Sequence, residues 1–170
     1  LLDQEILPLE LVNGSVTLTS DRLTQGHRIL HTQPVKLAQA SDYLETLRKA
    51  FVEADPLVRQ DTIKKGIETA EKTLEAEIEI PPDLLQEVTH LVEFPNIVIG
   101  EFEQEFLSLP PEVIKTVMVT HQRYFAVKKG QKLLPDFITC NLPDFITYNL
   151  PFLKPNKTVK KEQKLLPYFI

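Results

Sequence analysis

The stretch that decides the fold runs from Glu105 to Phe125 and reads EFLSLPPEVIKTVMVTHQRYF. Its paired prolines, Pro110 and Pro111, predict the start of a helix, because proline is tolerated in a first turn where the N–H group lacks a helical partner. Glu112 would then lie near the positive end of the helix dipole. Aromatic and branched residues favour a strand from Gln122 to Val127. The stretch therefore predicts a helix that ends in a polar helix-to-strand junction.

Three polar residues, His121, Gln122 and Arg123, lie at this junction and are followed by Tyr124. One interpretation is an RNA contact, in which they supply a base-edge donor, a phosphate-binding guanidinium and a stacking ring. The other interpretation is a buried polar network that locks the junction. The sequence favours the second slightly, since a motif this rich in Phe, Leu and Pro is mostly packing.

A second polar pair, His27 and Arg28, follows Gly26, whose missing side chain permits close backbone approach. The pair is interpreted either as a loop anchored by hydrogen bonds or as a phosphate or ribose contact. In the second case Arg28 would supply the guanidinium fork. Both alternatives stay open at the level of sequence.

Several segments resemble, in order and spacing, the beta subunit of the bacterial-type heterotetrameric glycyl-tRNA synthetase. FLSLPPEV, HQRYF and LLPDFIT resemble a hallmark of that family. TQGHR resembles its T-x-G-H-R-F segment, with Ile29 in place of the aromatic residue. DLLQEVT and LVEFP resemble its D-L-L-E-E-V-T-x-L-V-E-x-P run. The resemblance covers residues 1 to about 141 and stops there.

The resemblance implies that this chain is one internal domain of a longer beta subunit, similar to the B3/B4 domain of the phenylalanyl-tRNA synthetase beta subunit. It implies binding of glycine tRNA and assembly with the alpha subunit, in a bacterial cytoplasm or an organelle of bacterial origin. ATP and Mg²⁺ are used by the alpha subunit of that family, so no cofactor and no catalytic residue are expected here. An editing site would be redundant, because competitors larger than glycine are excluded by steric clash.

An alternative hypothesis is a truncated, free-standing α/β interaction module without a catalytic role. The altered tail and the missing flanks favour it. Under the first hypothesis the residues expected to contact RNA are His27, Arg28, His121, Gln122, Arg123 and Tyr124.

Charge is spread unevenly along the 170 residues, whose formal net charge is −5. Residues 128–170 contain eight lysines and three acidic residues, which leaves −10 for residues 1–127. An acidic body argues against binding a polyanion over the whole surface, so any RNA contact must rest on a few local cations. The basic tail is interpreted mainly as a solvated segment.

Several site classes are excluded by composition. A single cysteine, Cys140, rules out an internal disulfide and is typical of a reducing compartment. No apolar run approaches the ~18 residues that a membrane-spanning helix needs, so no membrane partner is expected. The four histidines lack metal-ligand spacing, and the five glycines stand apart, which predicts neither a metal site nor a phosphate loop.

Hydrophobic periodicity and turn residues predict one mixed α/β or α+β domain over residues 1–141. A hairpin is predicted around Asn13–Gly14, a strand at His27–Leu30, and a second strand at Asn96–Phe102. Helices are predicted at 42–53, from Pro56, from Pro82 to near Phe94, and at 111–121. The predicted core residues are Leu47, Phe51, Ile63, Leu85, Val88, Val98, Val113, Val117 and Phe125.

Residues 142–170 repeat earlier sequence. LPDFIT at 134–139 recurs at 142–147, and QKLLPDFI at 131–138 nearly recurs as QKLLPYFI at 163–170. Two copies at different offsets do not make a solenoid period. We predict a repetitive basic tail that is poorly ordered.

Overall fold

A computed structural model describes residues 1–140 and the pair Lys154–Pro155. Two compact units make up the chain, one of residues 1–59 and the other from Gln60 onward. The mixed α/β class is confirmed. Apart from Lys154–Pro155, the predicted tail lies outside the described residues, and both the boundary at 141 and the B3/B4 likeness stay predictions.

The first unit is built on two hairpins. Strand β1 (Glu10–Asn13) pairs antiparallel with β2 (Val16–Thr19), and β3 (Leu23–Gln25) pairs antiparallel with β4 (Pro34–Lys36). The predicted first hairpin is confirmed, with Gly14 in its two-residue turn. Both sheets have two strands, so each depends on further packing for its stability.

Two sequence predictions in the first unit are wrong. His27–Leu30 forms a turn instead of a strand, because the His31 N–H donates to the His27 carbonyl at 2.8 Å. Helix α1 (Tyr43–Lys49) ends well before residue 53. It ends there because Phe51 has a φ of +59°, a left-handed conformation that no α-helix continues through.

The second unit combines helices with an antiparallel sheet. Helix α2 (Pro56–Leu74) begins in the first unit and continues into the second. Its start is capped by Asp55, whose carboxylate accepts the Leu57 N–H at 2.8 Å. The other elements are β5 (Glu77–Ile78), α3 (Pro82–Leu91), β6 (Val98–Glu101), a 3₁₀ helix (Gln104–Ser108), α4 (Pro111–Thr116), a π-helical segment (Val117–Gln122), β7 (Phe125–Lys129), β8 (Lys132–Thr139) and β9 (Lys154–Pro155).

The strands form one sheet in the order β5-β7-β8-β6-β9 among the described residues. Its first face, with Phe125, Val127 and Ile138, packs with buried residues of α2 and α3. Its second face, with Ala126 and Phe137, packs with buried residues of α4 and the π-helical segment. The sheet is therefore covered on both faces.

Gly66, in the middle of α2, lies against Ile97, the residue before β6. A Cβ atom at this position would collide with Cγ1 of Ile97 and lie 3.2 Å from its Cβ. The branched stem of Ile97 cannot move aside as a flexible chain end would. Packing therefore requires glycine at position 66, although glycine destabilises a helix interior by about 1 kcal/mol relative to alanine.

Six of the nine predicted core residues are buried, and Phe51 is half-buried. The prediction was wrong for Val113 and Val117, which are 50% and 47% exposed. Their neighbours Ile114 and Met118 are buried instead. Both pairs are apolar with a spacing of four, so periodicity alone could not choose which pair faces the sheet. The buried residues of the predicted set are Leu47, Ile63, Leu85, Val88, Val98 and Phe125.

Truncation of Phe125 to alanine is expected to lower the free energy of unfolding by about 3–5 kcal/mol, because the ring is fully buried. The matched control is Val117→Ala on the exposed side of its helix, for which we expect a much smaller change. Urea unfolding measures both. Similar midpoints for the two variants would contradict the burial described here.

Candidate functional site

The helix-to-strand junction is reached through a widened helical turn. Helix α4 continues into the π-helical segment, which ends at Gln122, and Arg123 then adopts φ +59° and ψ +38°. The Tyr124 N–H donates to the Met118 carbonyl at 2.9 Å and closes the turn. The strand predicted to start at Gln122 therefore starts at Phe125, since the left-handed residue interrupts the extended backbone. Such π-turns often occur at functional sites.

Tyr124 belongs to the core. Its ring stacks on Phe137, with ring centroids 4.5 Å apart and an interplanar angle of 12°. Burial raises the pKa of the Tyr124 hydroxyl. The ring would have to leave this position to stack on a base, so the structure gives it a packing role.

The polar residues of the junction lie closer to the surface. Arg123 Nε donates to Glu87 Oε1 of α3 at 2.5 Å, with the two side chains 36% and 45% exposed. His121 is exposed and Gln122 is half-buried. The ion pair links the junction to α3 and so helps to lock it. The polar groups are half-exposed, however, and do not form the buried network that the sequence favoured.

The turn at His27 and Arg28 is anchored by hydrogen bonds from and to His27. The His27 N–H donates to the Ala50 carbonyl at 2.9 Å, and His27 Nδ1 accepts the N–H groups of Ile29 and Leu30, each at 3.3 Å. His27 is therefore a loop anchor. Arg28 is exposed, and its side chain makes no hydrogen bond or ion pair with any residue that the structure describes.

Close backbone approach at Gly26 is confirmed. A Cβ atom there would lie 2.8 Å from the Ala50 side chain and 2.9 Å from the Ala50 carbonyl oxygen. The glycine lets this loop lie against the end of α1, and the contact fixes the turn that carries Arg28.

Two further lysines of the second unit, Lys115 and Lys128, lie close to carboxylates. Lys115 Nζ lies 2.9 Å from Glu79 Oε1, and Lys128 Nζ lies 3.6 Å from carboxylate oxygens of both Glu77 and Glu79. The hydrogen bond from Lys115 holds the pKa of the Glu79 carboxyl below its usual value, in spite of partial burial. These lysines are therefore poorly placed to bind a phosphate.

The β7–β8 hairpin places two lysines together that the sequence did not single out as site residues. Lys129 and Lys132 are register partners and both are exposed. The feature of the sequence that indicates this pair is the run Lys-Lys-Gly-Gln-Lys at residues 128–132, which forms a tight turn. Beside this hairpin lies a cleft of about 470 Å³ whose four carboxylates outnumber its two ammonium groups and would repel a phosphate. Its lining residues are Glu68, Glu71, Lys72, Glu75, Ala76, Glu77, Lys129 and Gly130.

The cysteine of the chain, Cys140, is buried. Burial raises the pKa of the Cys140 thiol to about 12, so the thiolate nucleophile is not formed at neutral pH. Burial, together with the negative charge of its register partner Glu101, raises the pKa of Asp136. The described part of the chain holds no group of three His, Cys, Asp or Glu residues that could bind a metal ion.

No helix in the described ranges has both the length and the apolar character needed to cross a membrane.

Comparison with known proteins decides the family. A family model described as glycyl-tRNA synthetase beta subunit matches residues 1–144. The chain belongs to this family. It is 56% identical over 145 residues to the glycine–tRNA ligase beta subunit of Gloeothece citriformis (strain PCC 7424) and 55% identical over 142 residues to that of Picosynechococcus sp. (strain ATCC 27264 / PCC 7002 / PR-6). The beta subunit of Bacillus subtilis (strain 168) is 45% identical over 140 residues.

Each of these alignments covers 82% of this chain but 20% of the relative. The chain thus spans about a fifth of the length of the curated beta subunits that it matches. The resemblance found from the motifs is confirmed. In this member of the family, the hallmark HQRYF divides into exposed His121, ion-paired Arg123 and the buried rings of Tyr124 and Phe125.

Two substitutions at Arg123 separate its backbone from its charge. Both Arg123→Gly and Arg123→Ala remove the guanidinium group and its ion pair with Glu87. We expect the free energy of unfolding of Arg123→Gly to exceed that of Arg123→Ala by about 1 kcal/mol, because only glycine adopts a φ of +59° without steric cost. Urea unfolding measures the difference.

The control is Glu87→Gln, which removes the ion pair without touching the Arg123 backbone. We expect it to change the stability little, because a pair this exposed contributes at most ~1 kcal/mol. Equal midpoints for the glycine and alanine variants would show that the left-handed conformation is not retained in solution.

Proposed function

We propose that this chain is a non-catalytic part of a glycine–tRNA ligase beta subunit, which supports binding of glycine tRNA and assembly with the alpha subunit. The observation that carries the proposal is the 56% identity to a protein named glycine–tRNA ligase beta subunit. ATP and Mg²⁺ would be held by the alpha subunit. The chain spans a fifth of its relatives, so it would contribute to these functions alongside the rest of the polypeptide.

Arg28 is the strongest candidate for a phosphate contact. Its side chain is exposed and unpaired among the described residues, and it lies on a turn that His27 and Gly26 hold in place. A guanidinium group binds a phosphate through two parallel hydrogen bonds. A preformed turn would present this group without a further ordering cost.

Arg123 is a weaker candidate for the same contact. Glu87 already accepts a hydrogen bond from its guanidinium group, so a phosphate must compete with a carboxylate. His121 and Gln122 lie beside it and could donate to a base edge or to the ribose. The junction would therefore contribute specificity more than affinity.

Binding of glycine tRNA tests the contact. Arg28→Gln is expected to weaken binding and to reduce the slope of log affinity against log salt concentration by roughly 0.7–0.9, the contribution of one phosphate. The matched control is Lys64→Gln, which removes the same charge from an exposed position of α2. Gel shift at several salt concentrations measures both. Unchanged affinity and slope in Arg28→Gln would remove this residue from the site.

Amino-acid activation tests the non-catalytic role. Activation requires preorganised cations or metal that grip the ATP phosphates. We expect no ATP–pyrophosphate exchange with glycine from this chain, and exchange only when the alpha subunit is present. Exchange by the purified chain would overturn the proposal. A chain that neither shifts glycine tRNA nor captures the alpha subunit would instead favour the free-standing interaction module.

A further inference from the structure

The β1–β2 hairpin carries an uncovered apolar surface. Register pairs Leu11 with Leu18 and Asn13 with Val16, so these side chains share one face. Leu9, one residue before β1, continues the alternation and accepts the Ser20 N–H through its carbonyl. Their exposed fractions are 60% for Leu9, 60% for Leu11, 57% for Val16 and 65% for Leu18. These four residues are called the apolar hairpin face.

The opposite side of the hairpin differs in character. It carries the register pairs Glu10 with Thr19 and Val12 with Thr17, so three of its four residues are polar. Strands that alternate in this way have one face in water and one face against other protein. Yet every residue from Leu2 to Asp21 is exposed, and nothing that the structure describes packs on the apolar hairpin face.

The chemistry of the face argues against RNA as the cover. Its four side chains are aliphatic, so they can neither pair with a phosphate nor stack on a base as an aromatic ring does. The polar residue that shares this side in β1 is Asn13, which is uncharged, and neither β1 nor β2 contains a lysine or arginine to pair with the phosphate backbone. A protein surface with apolar side chains is the complementary partner.

The size of the face argues against a separately folded partner. Four side chains of this kind supply roughly half of the about 800 Å² that each partner buries in a stable interface between proteins. A two-stranded hairpin is also marginal in water unless something packs on it. A segment of the same polypeptide is always present at high effective concentration, so a small face is sufficient to hold it.

The length of the relatives supplies such a segment. This chain aligns with 20% of each curated beta subunit that it matches, so a beta subunit of that length contains about four times as much further sequence. We propose that the apolar hairpin face packs against a segment of the beta-subunit polypeptide outside these 170 residues, through aliphatic or aromatic side chains. The inference rests on membership of the family and not on RNA binding.

Hydrogen exchange of the hairpin amides tests the proposal by comparing this chain with a beta subunit of the relatives' length that carries it, without the alpha subunit. We expect exchange of residues 9–20 to be slower by at least about tenfold in the longer protein, because burial suppresses local opening. In the longer protein, Leu11→Lys with Leu18→Lys should return the exchange to the rate seen in this chain.

The matched control is Val12→Lys with Thr17→Lys, which places the same charges on the same strands but on the opposite face. This control should keep the slow exchange. The lysine pair on the apolar face could prevent folding of the longer protein. In that case, the exchange rates of the two unsubstituted proteins still show whether the longer protein covers the face.

Four results would overturn the proposal. Equal exchange in the short and long chains would mean that no segment outside these 170 residues covers the face. Slowing that appears only after the alpha subunit is added would assign the face to that subunit, and slowing only with glycine tRNA would assign it to RNA. Slowing of the short chain with its own concentration would assign the face to a second copy. The Arg28→Gln binding assay is independent of all four, since Arg28 is not on this face.

Discussion

The second unit depends on the pairing of β7 with β8. Phe125 opposite Ile138 and Ala126 opposite Phe137 alternate between the two faces of the sheet. Each face then has its own hydrophobic cluster, one with α2 and α3 and one with α4. Because side chains alternate with a period of two, a slip of one residue would exchange the two clusters and disrupt both. The register of this one pair is thus the constraint that the surrounding helices must satisfy.

The junction before β7 satisfies that constraint through a strained backbone conformation at Arg123. Arg123 adopts a left-handed conformation that places Tyr124 and Phe125 on opposite faces of the sheet directly after a helix. The guanidinium group then meets Glu87 of α3. A segment that looks like a polar recognition motif therefore mainly joins the helix to the strand, and its His121 is exposed.

Electrostatics divide the candidate contacts into two kinds. Lys115 and Lys128, beside the sheet, lie close to carboxylates, as Lys115 does to Glu79. Arg28 differs, because the turn that carries it is fixed by hydrogen bonds to the His27 ring, and its charge has no partner among the described residues. In an acidic protein, one free guanidinium on a rigid turn is a better phosphate ligand than several paired lysines. The apolar hairpin face adds a third kind of surface, suited to protein and not to RNA.

The sequence by itself determined the family, the mixed α/β class, the first hairpin, the start of α2 at Asp55 and most of the core. These features depend on local rules of turns, caps and periodicity, which act within a few residues. Tertiary structure alone decided that Ile114 and not Val113 faces the sheet, because both fit the same helical period. It also decided that Tyr124 is buried and that Arg28 has no ion-pair partner in the part of the chain that the structure describes. The partners responsible, Phe137 for the ring and the Ala50 carbonyl for the turn, lie beyond the reach of any local pattern.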